Sequence, residues 1–254
     1  MEKETLFVAF STQKGGIGKS ALTVLTASYM HYILGRSVAI VDCDYPQYSI
    51  MEMRKRDSEL ILQDKHFKRL AFQQFKTIGK KAYPVVMSSP VDAIETAKNL
   101  LEGTEEKFDI VFFDLPGTMN SKGVVKTLSY MDYIFAPVSA DRLVLESTIS
   151  FASSINENLM SVGRSKIRGL YLLWNLVDGR EKTNLYDVYD KVINEMGLPI
   201  LKTFIPDMKR FRRELNGVHK QIFRSTLFPP DKLLVKGSQI DKLVEEIETI
   251  INQE

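Results

Sequence analysis

The chain has 254 residues, 44% hydrophobic and 26% charged, with a net charge of +2. This ordinary globular composition excludes a disordered or fibrous chain, and so small a net charge supplies no global field toward nucleic acid, leaving local clustering as the only source of such a surface. The lone cysteine, Cys43, excludes an intrachain disulfide and a thiolate metal cluster.

The length suits one α/β domain spanning residues 1–254, a mostly parallel sheet flanked by helices. The chain opens Met1-Glu2-Lys3-Glu4-Thr5 without an apolar signal core, and nowhere do about 18 apolar residues run unbroken, so a cytoplasmic protein is expected. The first strand is expected over Leu6 to Phe10. It runs into Ser11-Thr12-Gln13-Lys14-Gly15-Gly16-Ile17-Gly18-Lys19-Ser20, which reads as a phosphate cradle. Glycines at 15, 16 and 18 let the backbone turn its N–H groups onto an anion, and the following helix, patterned from Ala21 to Ile33 and ended by Gly35, aims its positive end at the same point. Lys19 is placed to reach the β- and γ-phosphates, and the Ser20 hydroxyl suits Mg²⁺. Ile17 and Ala21 complete the nucleotide-binding set on this loop.

Two departures from the general G-x-x-x-x-G-K-[ST] pattern point the same way: Gln13 stands where glycine belongs, and Lys14 is a second lysine. The run Lys14-Gly15-Gly16-Ile17-Gly18-Lys19-Ser20 resembles the deviant Walker A motif, K-G-G-x-G-K-[ST], of the ParA/MinD family of ATPases. The resemblance implies that Lys14 crosses a nucleotide-sandwiched dimer to touch the partner's phosphates.

A second strand, Ser37 to Val41, is short and apolar, as a buried parallel strand should be. It ends at Asp42-Cys43-Asp44-Tyr45-Pro46-Gln47, at the sheet edge where ligands bind. This resembles the family's D-x-D-P-Q, with Tyr45 as an extra residue. By resemblance Asp42 holds the Mg²⁺ hydration shell and Asp44 positions the attacking water. A strand-end aspartate can instead cap the turn that follows it.

From Ser49 to Lys81 the pattern is helical and basic: nine Lys/Arg against three acids between Arg54 and Lys81. Such a run fits either a solvated face or a DNA-binding surface. Strand (Tyr83 to Met87) and helix (Val91 to Glu102) follow. Phe108 to Asp114, then Leu115-Pro116-Gly117, forms a Walker B arrangement, in which Asp114 binds Mg²⁺ through water and Gly117 lets a backbone N–H approach the γ-phosphate. Further strands are expected at Tyr133 to Val138, Ile167 to Leu173 and Ile200 to Asp207, with a helix from Leu143 to Met160. Asn175 is the candidate reader of the adenine edge, an Asx-turn role being the alternative. Trp174 suits packing better than base stacking. In the family the loop at Pro206 lies against the adenine.

Residues 202–236 hold nine Lys/Arg against three acids. Lys209, Arg210, Arg212, Arg213, Lys220 and Arg224 could line one side of a dimer and neutralise DNA phosphates without sequence preference. A capping-box-like start at Ser238 opens a last amphipathic helix through Ile251 with an acidic polar face (Glu245, Glu246, Glu248), expected to pack on the sheet. That face opposes a MinD-like anchor on anionic lipid.

The resemblance as a whole implies an ATP·Mg²⁺-dependent homodimer with weak, partner-stimulated ATPase activity, serving DNA partition or maintenance of a conjugative element. Its expected partners are nonspecific double-stranded DNA and a ParB-like or relaxosome-type protein, with no membrane. The rival readings are a MinD-like spatial regulator and an ATP-dependent metabolic ligase on the same scaffold. A bacterial tyrosine kinase would need a tyrosine-rich tail, and a NifH-type iron–sulfur carrier paired cysteines.

Overall fold

The computed structural model describes residues 4–118, 123–180, 184–208 and 222–253. Six strands form one sheet: β1 (Leu6–Phe10), β2 (Val38–Asp42), β3 (Val85–Met87), β4 (Ile110–Asp114), β5 (Tyr133–Val138) and β6 (Gly169–Trp174). Their spatial order is β3-β2-β4-β1-β5-β6, and every pairing is parallel. The helices are α1 (Lys19–Tyr32), α2 (Ser49–Gln63), α3 (Lys65–Ile78), α4 (Ala93–Glu102), α5 (Val124–Leu128), α6 (Arg142–Ile155), α7 (Asn184–Glu195), α8 (Lys232–Val235) and α9 (Ile240–Ile251). A π-helical turn, Asn156–Met160, extends α6.

Both sheet faces are covered, which explains the near-continuous apolar strands. Alternation along β1 divides them: Leu6, Val8 and Phe10 join α1 and α9 in one core, while Ala9 packs with Val111, Phe113 and residues of α4 and α6 in the other. A smaller cluster joins Phe67 and Ala71 of α3 to Ile222, Leu227 and Phe228.

The parallel register sets β1 between β4 and β5, and pairs Asp42 of β2 with Asp114 of β4 on adjacent strands. The loop after β1 therefore opens beside two acids at the carboxyl edge.

Two expectations are corrected. Residues 200–207 form no regular strand: they run beside β6 and its continuation through two isolated bridges, Leu172 to Ile200 and Val177 to Pro206, and a backbone bond from the Ile205 N–H to the Trp174 carbonyl at 2.8 Å, an irregular sheet edge. The capping box of α9 is not made, because Gln239 takes the cap position in a left-handed conformation and gives no side-chain cap. The helical stretch expected after Ser49 is present as two helices, with Asp64 between them capping α3 by accepting from the His66 N–H.

The last helix does pack as expected, burying Ile240, Leu243, Val244, Ile247 and Ile251. Its acids are partly spent on structure: Glu248 pairs with Arg36, and Glu246 accepts from the N–H groups of Lys202 and Thr203. Among the described residues no helix is long and apolar enough to cross a membrane.

Candidate nucleotide site

The glycine-rich loop opens a cavity of about 600 Å³ lined by Gly15, Gly16, Gly18, Lys19, Ser20, Ala21, Asp44 and Gly117, among others. A second cavity of about 400 Å³ adjoins it, lined by Gly16, Gly18, Ala21, Leu22, Asn175, Leu176 and Arg224. Arg224 also lines the first. Ile17 is buried behind the loop.

Two glycines are required by position. Gly18 sits at φ +88° with the space of a Cβ only 2.9 Å from Asn175 Nδ2, so both its conformation and its surroundings refuse a side chain. A Cβ on Gly117 would stand 2.9 Å from Lys19 Nζ and 3.0 Å from the Lys14 carbonyl oxygen, so the loop after β4 closes directly onto the cradle.

Lys19 is buried and donates from Nζ to the Lys14 carbonyl at 2.9 Å. Burial pushes its ammonium below the ordinary lysine range, against the pull of Asp114 and Asp44. A cation held this way, with one neutral oxygen to bond, is poised for an anion. Lys14 is half-buried and, unlike its glycine neighbours, lines neither cavity.

Asp114 is fully buried, and among the described residues neither of its carboxylate oxygens has a hydrogen-bond partner of good geometry, the Ser20 hydroxyl being the nearest candidate. Burial pushes its carboxyl up to about 7; the nearby Ser20 hydroxyl and Lys19 resist this, while Asp42 and Asp44 reinforce it. Orphaned acceptors of this kind call for a cation. Among the described residues no group of three or more His, Cys, Asp or Glu could cage a metal unaided. That suits Mg²⁺, which is commonly held by one or two carboxylates plus substrate phosphates. Ser20 fits the same ion, its oxygen 3.3 Å from Ser49 Oγ.

Asp42 is placed differently. Its Oδ2 accepts from the N–H groups of Ile50 and Met51 at 3.0 and 2.9 Å, and its Oδ1 from the Asp44 N–H at 3.4 Å. It holds the start of α2, the capping work that strand-end aspartates do, and burial raises its carboxyl despite these bonds. Asp44 lines the phosphate cavity with Gln47, while Tyr45, the extra residue, is largely exposed and meets Tyr48 edge to face.

Asn175 is buried beside the second cavity, and its amide is spent on the chain: Nδ2 donates to the Ile17 carbonyl at 2.7 Å, and Oδ1 accepts from the Leu176 N–H at 3.0 Å. In this arrangement it fixes the back of the phosphate loop, closer to the Asx-type alternative than to a free adenine-reading amide. Pro206 bridges to Val177 next to it and lines neither cavity. Trp174 packs as expected, donating from Nε1 to Asp190 at 2.7 Å against Tyr186 and Tyr189.

Residues 8–219 match the model of the CobQ/CobB/MinD/ParA nucleotide binding domain. The chain belongs to the CobQ/CobB/MinD/ParA family. Among its relatives, this ParA/MinD-type chain is 25% identical over 178 residues to the chromosome-partitioning ATPase Soj of Thermus thermophilus, covering 68% of this chain and 70% of Soj. Its fold is shared by a plasmid partition protein of Borrelia burgdorferi B31 bound to AMPPNP (TM-score 0.60, 14% identity, 96% and 100% of the two chains). It is shared equally by the ParA of pNOB8 bound to nonspecific DNA (TM-score 0.59, 13% identity, 99% and 100%).

The basic stretches are altered by their surroundings. Arg54 turns inward, donating to Thr226 Oγ1 and the Tyr83 carbonyl at 2.8 Å each with its guanidinium 5.2 Å from the Tyr83 ring centroid. Arg56 pairs with buried Asp57. Lys65, Lys68, Arg69 and Lys76 remain exposed on α3. Of the second stretch, Lys209, Arg210, Arg212, Arg213 and Lys220 lie outside the described residues, and Arg224 faces the nucleotide cavities rather than an outer stripe. No local motif marks Arg224 or Met53 as cavity residues; only the fold brings them there.

Proposed function

We propose that this ParA/MinD-type chain binds ATP·Mg²⁺ in the phosphate cavity, closes as a dimer around it, hydrolyses it slowly, and acts in DNA partition or conjugative-element maintenance. The observation that carries the nucleotide reading is the pair of buried, unpartnered Asp114 oxygens beside Ser20 and Lys19. When bound, Mg²⁺ supplies neutralising charge on the β- and γ-phosphates.

The chain's own residues do the rest. Lys19 exchanges the Lys14 carbonyl for phosphate oxygens, and the backbone N–H groups from Gly15 to Ser20 cradle the phosphates. Ser20 and Asp114 hold the ion directly or through water, and Asp42 orders the outer shell from its post under α2. Asp44, at the open side of the cavity, accepts a hydrogen bond from the attacking water and orients it in line with the γ-phosphate. Lys14 supplies positive charge to the phosphates of the partner's nucleotide. Catalysis of this type is positioning plus charge stabilisation, so slow turnover follows until a ParB-like or relaxosome-type partner completes the geometry. Asn175 and Pro206 flank the base end.

The DNA part is supported by the names of the relatives and by the exposed α3 cations. A membrane role carried by α9 is disfavoured, because its apolar side is already buried.

The test is ATP turnover with and without double-stranded DNA across a salt series, with Lys19→Ala and Asp44→Ala as controls. The reading expects turnover abolished in both variants and ATP-dependent DNA binding that falls steeply with salt. Salt-independent behaviour would remove the DNA part and leave the nucleotide site standing.

A further inference from the structure

Among the described residues four line both cavities: Gly16, Gly18, Ala21 and Arg224. Three of them offer only backbone or a methyl group, so among the described residues Arg224 brings the one polar side chain to the junction. On the phosphate side lie Lys19, Ser20 and Asp44; on the other lie Leu22, Asn175 and Leu176. A nucleotide running from one cavity to the other puts its α-phosphate and ribose at that junction. A guanidinium is suited to such a place because it binds a phosphate by two parallel hydrogen bonds and stays charged when partly desolvated.

The backbone that carries Arg224 is tightly fixed. Its carbonyl accepts from Arg56 Nη2 at 3.1 Å. The next two residues are gripped by Asp57 of α2, whose Oδ2 accepts from Ser225 Oγ, Thr226 N and Thr226 Oγ1 at 2.8, 2.7 and 3.0 Å. Asp57 is 1% exposed, and its other oxygen pairs with Arg56 at 2.9 Å. From α1, Ser28 and Tyr32 donate to the carbonyls of Ser225 and Thr226 at 2.6 and 2.8 Å. A buried carboxylate is costly unless fully bonded, and this one is bonded entirely to the segment holding Arg224 and to Arg56. The same helix begins on Asp42 at the metal side of the cavity. Nothing about a solvated DNA-facing arginine would require this anchoring.

We propose that Arg224 is a nucleotide-binding residue supplied by the same chain, contacting the α-phosphate and ribose, and that Asp57 is the positioning residue that aims it. The proposal rests on the ATP reading above.

Calorimetric titration of the full chain with ATP·Mg²⁺ and with ADP·Mg²⁺ tests it, in the wild type, Arg224→Ala, Arg224→Lys, Asp57→Asn and the double variant, with Lys19→Ala as the control. Arg224→Ala is expected to weaken ATP and ADP by the same factor, roughly tenfold for one charge-assisted contact, with Arg224→Lys recovering part of it. Asp57→Asn should weaken both nucleotides in the same ratio, and the double variant should bind no worse than Arg224→Ala alone. Unchanged affinity in Arg224→Ala, while the wild type binds and Lys19→Ala does not, would overturn the proposal. Loss confined to ATP would overturn the placement at the α-phosphate, and additive losses in the double variant would reduce Asp57 to a structural role. A wild type that binds neither nucleotide would instead sink the ATP reading. Arg224 is only half-buried, so its variants keep the test decisive even if Asp57→Asn fails to fold.

Discussion

The two ends of the nucleotide cavity are built on opposite principles. At the phosphate end the polar groups are under-bonded: both Asp114 oxygens lack partners, and Lys19 makes one bond to a neutral carbonyl. At the other end they are bonded within the chain: Asn175 donates to Ile17 and accepts from Leu176, and the buried Asp57 carboxylate is saturated, accepting from Ser225, Thr226 and Arg56. Under-bonded groups mark where a ligand must complete the structure, and saturated ones mark where the structure holds its shape to receive it.

This contrast predicts variants of opposite character. Removing an under-bonded group should damage binding and spare the fold, so Lys19→Ala is expected to weaken ATP binding by roughly 100-fold, the loss of about 3 kcal/mol of charged contact, with the thermal midpoint unchanged or raised. Calorimetry and differential scanning on one preparation check both halves. Removing a saturated group should do the reverse: Asp57→Ala is expected to destabilise the chain by about 3 kcal/mol in urea unfolding, since three donors and Arg56 lose their acceptor.

At the seam between the two ends, Gly18→Ala forces a side chain into a left-handed position against Asn175. It should cost about 1–2 kcal/mol of stability, with a parallel loss of nucleotide affinity. Asp114→Asn sharpens the comparison further. Its carboxyl is pushed from 3.8 up to about 7, so the folded state resists ionisation and loses stability as pH rises through that window. At pH 8 the asparagine variant should therefore be more stable than the wild type, by about 1 kcal/mol, while failing to turn over ATP with Mg²⁺. Lower stability of that variant at pH 8 would mean that the carboxylate already has a partner.

The smallest effect lies away from the site. His31 is buried in α1, bonded through Nε2 to the Lys81 carbonyl at 2.9 Å and packed edge-on against Tyr32 and Tyr83. Burial, reinforced by the Lys80 charge and opposed by the Lys81 carbonyl and Glu106, lowers its pKa below 6.5. The unfolded chain therefore takes up a proton that the folded chain refuses, and stability falls as pH drops below about 6.5. Urea unfolding at pH 7 and 5 should show a shallower fall in His31→Gln.

The same contrast explains what could be read beforehand. Strands β1, β2, β4 and β5 are buried on both faces and announce themselves as apolar runs, and the phosphate end is encoded within one loop and two strand-end acids. Short-range chemistry of that kind is visible in a sequence. The saturated end is assembled over long separations, with Asp57 reaching residues 168 and 169 positions away, and no local spacing records such a contact. Arg54 and Arg56 looked like surface charge because their inward acceptors, at Tyr83, Thr226 and Asp57, are assembled by the fold. Residues 200–207 read as a strand from their apolar run, yet meet the sheet edge through isolated bridges and the Ile205 N–H bond to Trp174 rather than a continuous ladder.

The most direct test is a calorimetric titration of ATP into the wild type with Mg²⁺ present or replaced by EDTA, alongside Lys19→Ala. The under-bonded phosphate end predicts saturable one-to-one binding that weakens sharply without Mg²⁺ and is lost in the variant. Binding indifferent to both Mg²⁺ and Lys19, or no binding at all, would contradict it.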